Sequence, residues 1–145
     1  MPSRRRAREY ALQMLFQWDI GKDSPETVME LFWENRKRGP WDPEDEPVRS
    51  FANELFRGTV DAAAQLDALI WQHAEHWRLE RMPAVDRNIL RLGIYEILHR
   101  RETPPVVVIN EALEIAHKFS GEEAAAFING LLDSIRKEAE TLHPT

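Results

Sequence analysis

Apolar residues recur three and four positions apart in nearly every segment of this chain, a spacing that gathers them on one face of an α-helix. The longest such stripe, Phe51, Leu55, Thr59, Ala62, Leu66, Ile70, His73 and Trp77, follows Pro47 and keeps one face for about 30 residues. Gly58 is placed to bend or divide that helix. Upstream, a first helix is expected from about Arg4 to Ile20, with Tyr10, Ala11, Leu12, Met14, Leu15, Phe16 and Trp18 on a broad apolar face and Gly21 as its left-handed stop. Ser24-Pro25 starts a second, Ser as N-cap and Pro at the first helical position. This helix carries Val28, Leu31 and Phe32 inward until Gly39-Pro40 breaks it. Gly39 to Pro47, with its prolines and acids, reads as a surface loop.

A turn at Met82-Pro83 precedes the most apolar helix, Ala84 to His99. There Val85, Ile89, Leu90, Leu92, Ile94, Ile97 and Leu98 leave Asn88, Arg91, Tyr95 and His99 as a narrow polar stripe, so this helix belongs at the centre of a bundle. Gly93 within it costs about 1 kcal/mol relative to alanine and so points to a helix passing close by. Pro105 to Phe119 opens on Val106, Val107, Val108 and Ile109, which favour strand, but no partner strand exists elsewhere and helix is expected. Ser120, Gly121, Glu122 and Glu123 have the pattern of a capping box that launches Phe127, Ile128, Leu131, Leu132 and Ile135 on one face. The fold class is therefore all-α: one compact domain over residues 1–145, with six or seven helices. At 145 residues and 43% hydrophobic the chain can bury a core without staples.

Cysteine is absent, which excludes disulfides, thiolate metal sites and a cysteine nucleophile, and makes the cytoplasm the expected compartment. No segment reaches the roughly 18 uncharged apolar residues of a membrane span. The charge is unevenly spread. Arg4, Arg5, Arg6 and Arg8 fall in the first eight residues with no acid among them, whereas the whole chain holds 19 bases and 25 acids. Cations at a helix N-terminus oppose its macrodipole by a few tenths of a kcal/mol each, so an anion is expected to meet them. A local basic cluster on an acidic body still contacts phosphate at short range, since salt screens beyond roughly 8 Å.

Other constellations are weaker. His73 and His76, beside Glu75, offer two imidazoles to a metal but no third ligand, and the bland reading puts His73 on the apolar stripe and His76 in solvent. No metal or cofactor is expected. No nucleophile elbow, phosphate loop or dinucleotide turn occurs, so catalysis has no visible seat. Glu96 shares the face of Val85, Ile89 and Leu92; buried there, it needs an arginine, or an amide such as Asn110 or Asn129. The arginine cluster has two readings, a solvated helix start or a phosphate and base contact. Arginine's planar fork suits the second, with a short single-stranded RNA the natural ligand.

Four blocks in order carry a resemblance. Arg4 to Glu9 with Ala11-Leu12-Gln13, Leu15-Phe16 and Trp18 is the first, and Val85-Asp86-Arg87 through Leu90-Arg91 to Tyr95-Glu96 the second. Pro105-Val106 with Ile109-Asn110-Glu111-Ala112 follows, then Phe127-Ile128-Asn129-Gly130 with Leu132-Asp133. Together they resemble the transcription antitermination factor NusB family over essentially the whole chain. The resemblance implies two packed helical sub-bundles that bind the boxA element of ribosomal RNA operon leaders. It also implies a partner, the small-subunit ribosomal protein that doubles as NusE, and a larger assembly with NusA, NusG and RNA polymerase, none of it enzymatic. Residue by residue, it implies RNA contacts at Arg4, Arg5, Arg6, Arg8 and Gln13, a second RNA-proximal region at Gly121, Glu122, Glu123 and Phe127, and NusE-facing positions at Phe16 and Asp86.

The chain departs from the family pattern at His117, where lysine is usual, and at Glu123 to Ala126, which lacks a basic residue found in some relatives. Both departures thin the charge of the second region and leave more to the arginines. Two other readings stand beside the first: a module whose apolar groove near Phe16 and Asp86 recruits a protein without touching RNA, and kinship to the RNA-recognising domain of ribosomal RNA cytosine methyltransferases. The second requires a glycine-rich donor-binding domain that these residues do not supply. Exposed Phe16 and five tryptophans also leave a homodimer open.

Overall fold

A computed structural model of the chain describes residues 2–36, 46–75 and 79–142. Among them run seven α-helices: α1 (Pro2–Gly21), α2 (Pro25–Arg36), α3 (Glu46–Asp61), α4 (Ala63–His73), α5 (Ala84–His99), α6 (Pro105–Phe119) and α7 (Glu122–Leu142). A 3-10 turn, Leu79–Arg81, precedes α5. The valine-rich start of α6 is helical, as expected, because Pro105 occupies its first position and Val108 and Ile109 bury against the other helices.

Two cores form. α1, α2 and α3 close around an aromatic cluster in which Tyr10, Phe32 and Trp33 meet edge to face with ring centroids 4.8 to 5.7 Å apart. α4 to α7 close around an aliphatic cluster that includes Leu66, Ile70, Leu90, Ile94, Ile128 and Leu132. Leu12 of α1 belongs to the second core and Leu92 of α5 to the first, so α1 and α5 form the seam between the sub-bundles. α5 holds the central place its composition demands. The first half of its polar stripe is buried, with Asn88 0% and Arg91 6% exposed, and only its end, at His99, reaches solvent. At Gly93, the Leu132 side chain of α7 approaches to 3.1 Å from where a Cβ would stand, which is the close passage that the glycine implies.

Four local expectations are corrected. α1 continues through Gly21, and the left-handed residue is Lys22, at φ 62°. Gly58 does not divide its helix; the break falls at Ala62, and the Tyr95 ring fills the space a Gly58 side chain would need. Ser120 does not cap α7. It ends α6, its hydroxyl donates to Asp86 Oδ1 at 2.5 Å, and Gly121, at φ 110°, turns the chain into α7. Of the loop expected over Gly39 to Pro47, Glu46 and Pro47 already belong to α3 and the rest lies outside the described residues, as do His76 and Trp77.

Candidate nucleic-acid interface

Ala11, Leu12 and Leu15 are among the buried residues of α1, and helical spacing places Arg8 at one end of their line and Asp19 at the other. Arg8 is accordingly 4% exposed, and its Nε and Nη2 donate to the two carboxylate oxygens of Glu96 at 2.8 and 2.9 Å. Removing both charges from water is costly, and two parallel charge-assisted hydrogen bonds offset that cost. Glu96 thus finds the arginine it was expected to need, whereas Asn110 and Asn129 are exposed. The same bond corrects the reading of Arg8 as an RNA contact: its guanidinium is committed to the core.

Nearer the helix start the pairing opens toward solvent. Arg5 donates through Nε and Nη2 to Glu111 on α6 at 3.0 and 2.8 Å, and Arg8 Nη1 lies 3.8 Å from the same carboxylate. The hydrogen bond to Glu111 and its charge hold Arg5 above its ordinary pKa. In return, the hydrogen bond from Arg5, working against partial burial, holds Glu111 below the usual glutamate range. The Arg4 guanidinium lies over the Phe51 ring, 4.1 Å from its centroid. Arg4, Arg5 and Arg6 are exposed, and all three line a groove of about 810 Å³ with Glu9, Glu102, Thr103, Pro104, Val107, Glu111 and Lys118, while buried Arg8 borders it from the core side. α1 has no acid in its first turn, so the groove opens on the positive pole of the helix. Lys118 bridges back to Glu9 at 3.1 Å, tying the end of α6 to α1.

Other positions implied by the resemblance scatter around this groove. Gln13 is exposed but faces α2, accepting a hydrogen bond from Arg36 at 3.4 Å. Glu122 and Glu123 are exposed in the first turn of α7, where carboxylates favour their own helix dipole. Gly121 precedes them, Phe127 packs half-buried against the α4–α7 core, and His117 and Ala126 are exposed. None of these lines the arginine groove; Lys118 reaches it from the same end of α6. Phe16 is 39% exposed, whereas Asp86 is 9% exposed and receives the Ser120 hydroxyl.

Sequence reasoning missed the charge cluster at the far end of α1. Asp19 accepts from Arg87 Nε at 2.6 Å, Asn88 Nδ2 at 3.0 Å and Arg91 Nη1 at 3.1 Å, while Arg91 forks onto Asp67 of α4 at 2.7 and 3.1 Å. Burial pushes the Asp19 carboxyl up, but the Arg87 hydrogen bond and the Arg91 charge outweigh it and leave the pKa below the ordinary value. The signal was available, since Asp19 lies on the same stripe as Leu15. His73 has both ring nitrogens engaged, at 2.7 Å from Ser134 Oγ and 2.7 Å from Glu138 Oε2. Among the described residues no three His, Cys, Asp or Glu side chains converge as metal ligands.

The model of the NusB family matches residues 5–137, a span that takes in most of both sub-bundles and the groove apart from Arg4. The chain belongs to the NusB family. The transcription antitermination protein NusB of Koribacter versatilis is 53% identical over 138 residues, covering 95% of this chain and 91% of that protein. A T. maritima NusB structure superposes with a TM-score of 0.82 at 34% identity, covering 93% of this chain and 91% of its own. A crystal structure of the antitermination factors NusB and NusE in complex with dsRNA superposes at 0.83 with 26% identity, covering 95% and 98%. The NusB relatives carry the name of a transcription factor and not of an enzyme. No described helix is long and apolar enough to cross a membrane.

Proposed function

We propose that this chain is a cytoplasmic RNA-binding antitermination factor. It binds the boxA element of ribosomal RNA operon leaders together with a NusE-like ribosomal protein, and the pair joins NusA, NusG and RNA polymerase to sustain transcription of ribosomal RNA genes. The observation that carries this reading is the open groove at the positive pole of α1, where exposed Arg4, Arg5 and Arg6 meet Lys118 from α6. Phosphate suits such a place twice over, by charge and by the unpaired backbone N–H groups of the helix start. The kinship to a NusB that has been crystallised with NusE and RNA supports the partner and the ligand.

In this reading Arg4 and Arg6 meet the RNA backbone and Arg5 completes the groove, while Gln13 and the Gly121 to Glu123 turn with Phe127 extend the contact on either side. Phe16 and the neighbourhood of Asp86 face the ribosomal protein, and the same apolar face is where a homodimer would form in its absence. The domain acts as one unit over residues 1–145. A titration of boxA-like and scrambled single-stranded RNA, with and without the NusE partner, tests the proposal. It expects tighter binding of the boxA-like RNA and a further gain when the partner is added. Equal binding of both RNAs in the mixed complex, or partner binding with no RNA shift, overturns it.

A further inference from the structure

The charged side chains between α5, α1 and α6 form a ladder that runs from core to groove: Glu96, Arg8, Glu111, Arg5. Its inner rung is 1% exposed at Glu96, and its outer rung has 46% of the Arg5 side chain and 19% of the Glu111 side chain open to solvent. Arg5 is therefore unlike a phosphate-seeking arginine in two ways. One of its two bidentate edges, Nε with Nη2, is already taken by Glu111, and the pair contributes no net charge to the groove. Two hydrogen bonds lock the guanidinium plane of this half-open side chain and leave its outer Nη1 side to the groove, which apolar Pro104 and Val107 also line.

We infer that Arg5 is a stacking platform for one unpaired nucleobase, held flat by Glu111 and faced by Pro104 and Val107, and that it is not a backbone contact. This rests on the RNA-binding reading above and assigns roles within that site: phosphate to Arg4 and Arg6, a base to Arg5. A delocalised planar cation stacks on any base face, and a locked plane loses little freedom in doing so. Glu111 and Arg8 are positioning residues for that plane.

The test pairs base deletion in the RNA with a charge-neutral swap in the protein. A series of boxA-like single-stranded RNAs, each with one abasic ribose and an intact phosphate chain, is titrated against the full chain, against R5Q/E111Q, and against R5K, which keeps the ion pair to Glu111 but loses the plane. One RNA position is expected where losing the base weakens the native chain about tenfold, in the range of base stacking on a flat side chain, and where the same loss costs both variants little. The slope of log affinity against log salt should be unchanged in R5Q/E111Q. If every abasic position costs all three proteins alike, or if R5Q/E111Q lowers the slope by about 0.7, as loss of one single-strand phosphate contact would, Arg5 is a backbone clamp and the inference fails. Absence of any binding by the native chain sinks the underlying reading instead, a result distinct from both. Melting curves of R5K, in which the pair to Glu111 persists, separate a folding defect from a lost platform.

Discussion

The two ends of α1 carry charges of opposite sign, each at the pole of the helix that disfavours it, and the fold treats them differently. At the C-terminal end Asp19 is satisfied by Arg87, Asn88 and Arg91, and its side chain is left 15% exposed. At the N-terminal end Arg8 is consumed in the same way by Glu96, but three further arginines stand exposed around an open groove. An unfavourable pole is therefore not by itself the mark of a ligand site, because tertiary partners satisfy Asp19 and Arg8. The mark is a set of exposed arginines gathered around an open groove, as at the N-terminal end. Tertiary ion pairs outweigh the macrodipole easily, since an exposed charge against a helix pole involves about 0.3–1 kcal/mol and an unpaired buried charge several times more.

Breaking the buried pair gives the largest expected effect. E96A strands the Arg8 charge in the seam between the sub-bundles and should lower unfolding free energy by about 3–5 kcal/mol in urea titrations. A loss under about 1 kcal/mol would show that Arg8 escapes to solvent and is not a core residue. D19A should cost less, about 1–3 kcal/mol, because the site is partly wet and Arg91 keeps its fork onto Asp67. Equal costs at the two ends would remove the contrast in burial. The pH dependence sharpens it. The Asp19 and Glu111 pKa values are lowered from 3.8 and 4.5, so the stability they add is present above those ordinary values and is lost as pH falls through the lowered ones. D19N should flatten that acid limb, and an unchanged limb would contradict the network. The smallest effect belongs to the groove: R4A/R6A should leave stability within about 0.5 kcal/mol while weakening RNA binding.

Helix placement was legible because apolar spacing survives in single-sequence form, and α5 announced its central role by composition alone. Boundaries were less legible where a distant group decided them. Ser120 looks like an N-cap, but the Asp86 carboxylate draws its hydroxyl to α5; Gly58 looks like a break, but Tyr95 occupies the vacancy. The basic cluster was legible as a cluster and its division of labour was not. Arg4, Arg5, Arg6 and Arg8 look alike in a row, and separating them needs the helical register that puts Arg8 with Ala11, Leu12 and Leu15, and the carboxylates that α5 and α6 bring from 88 and 106 residues away. The opposite wall of the groove, Glu102 to Val107, had no signal of its own, since it becomes a wall only when α6 docks on α1.

The central claim is that the exposed arginines at the start of α1 meet an RNA backbone. Salt dependence of RNA affinity in the native chain and in R4A/R6A tests it most directly. If both arginines neutralise phosphate, the slope of log affinity against log salt should fall in magnitude by about 1.4, at roughly 0.7 for each contact on a single strand. A slope that stays the same would place the polynucleotide elsewhere on the molecule.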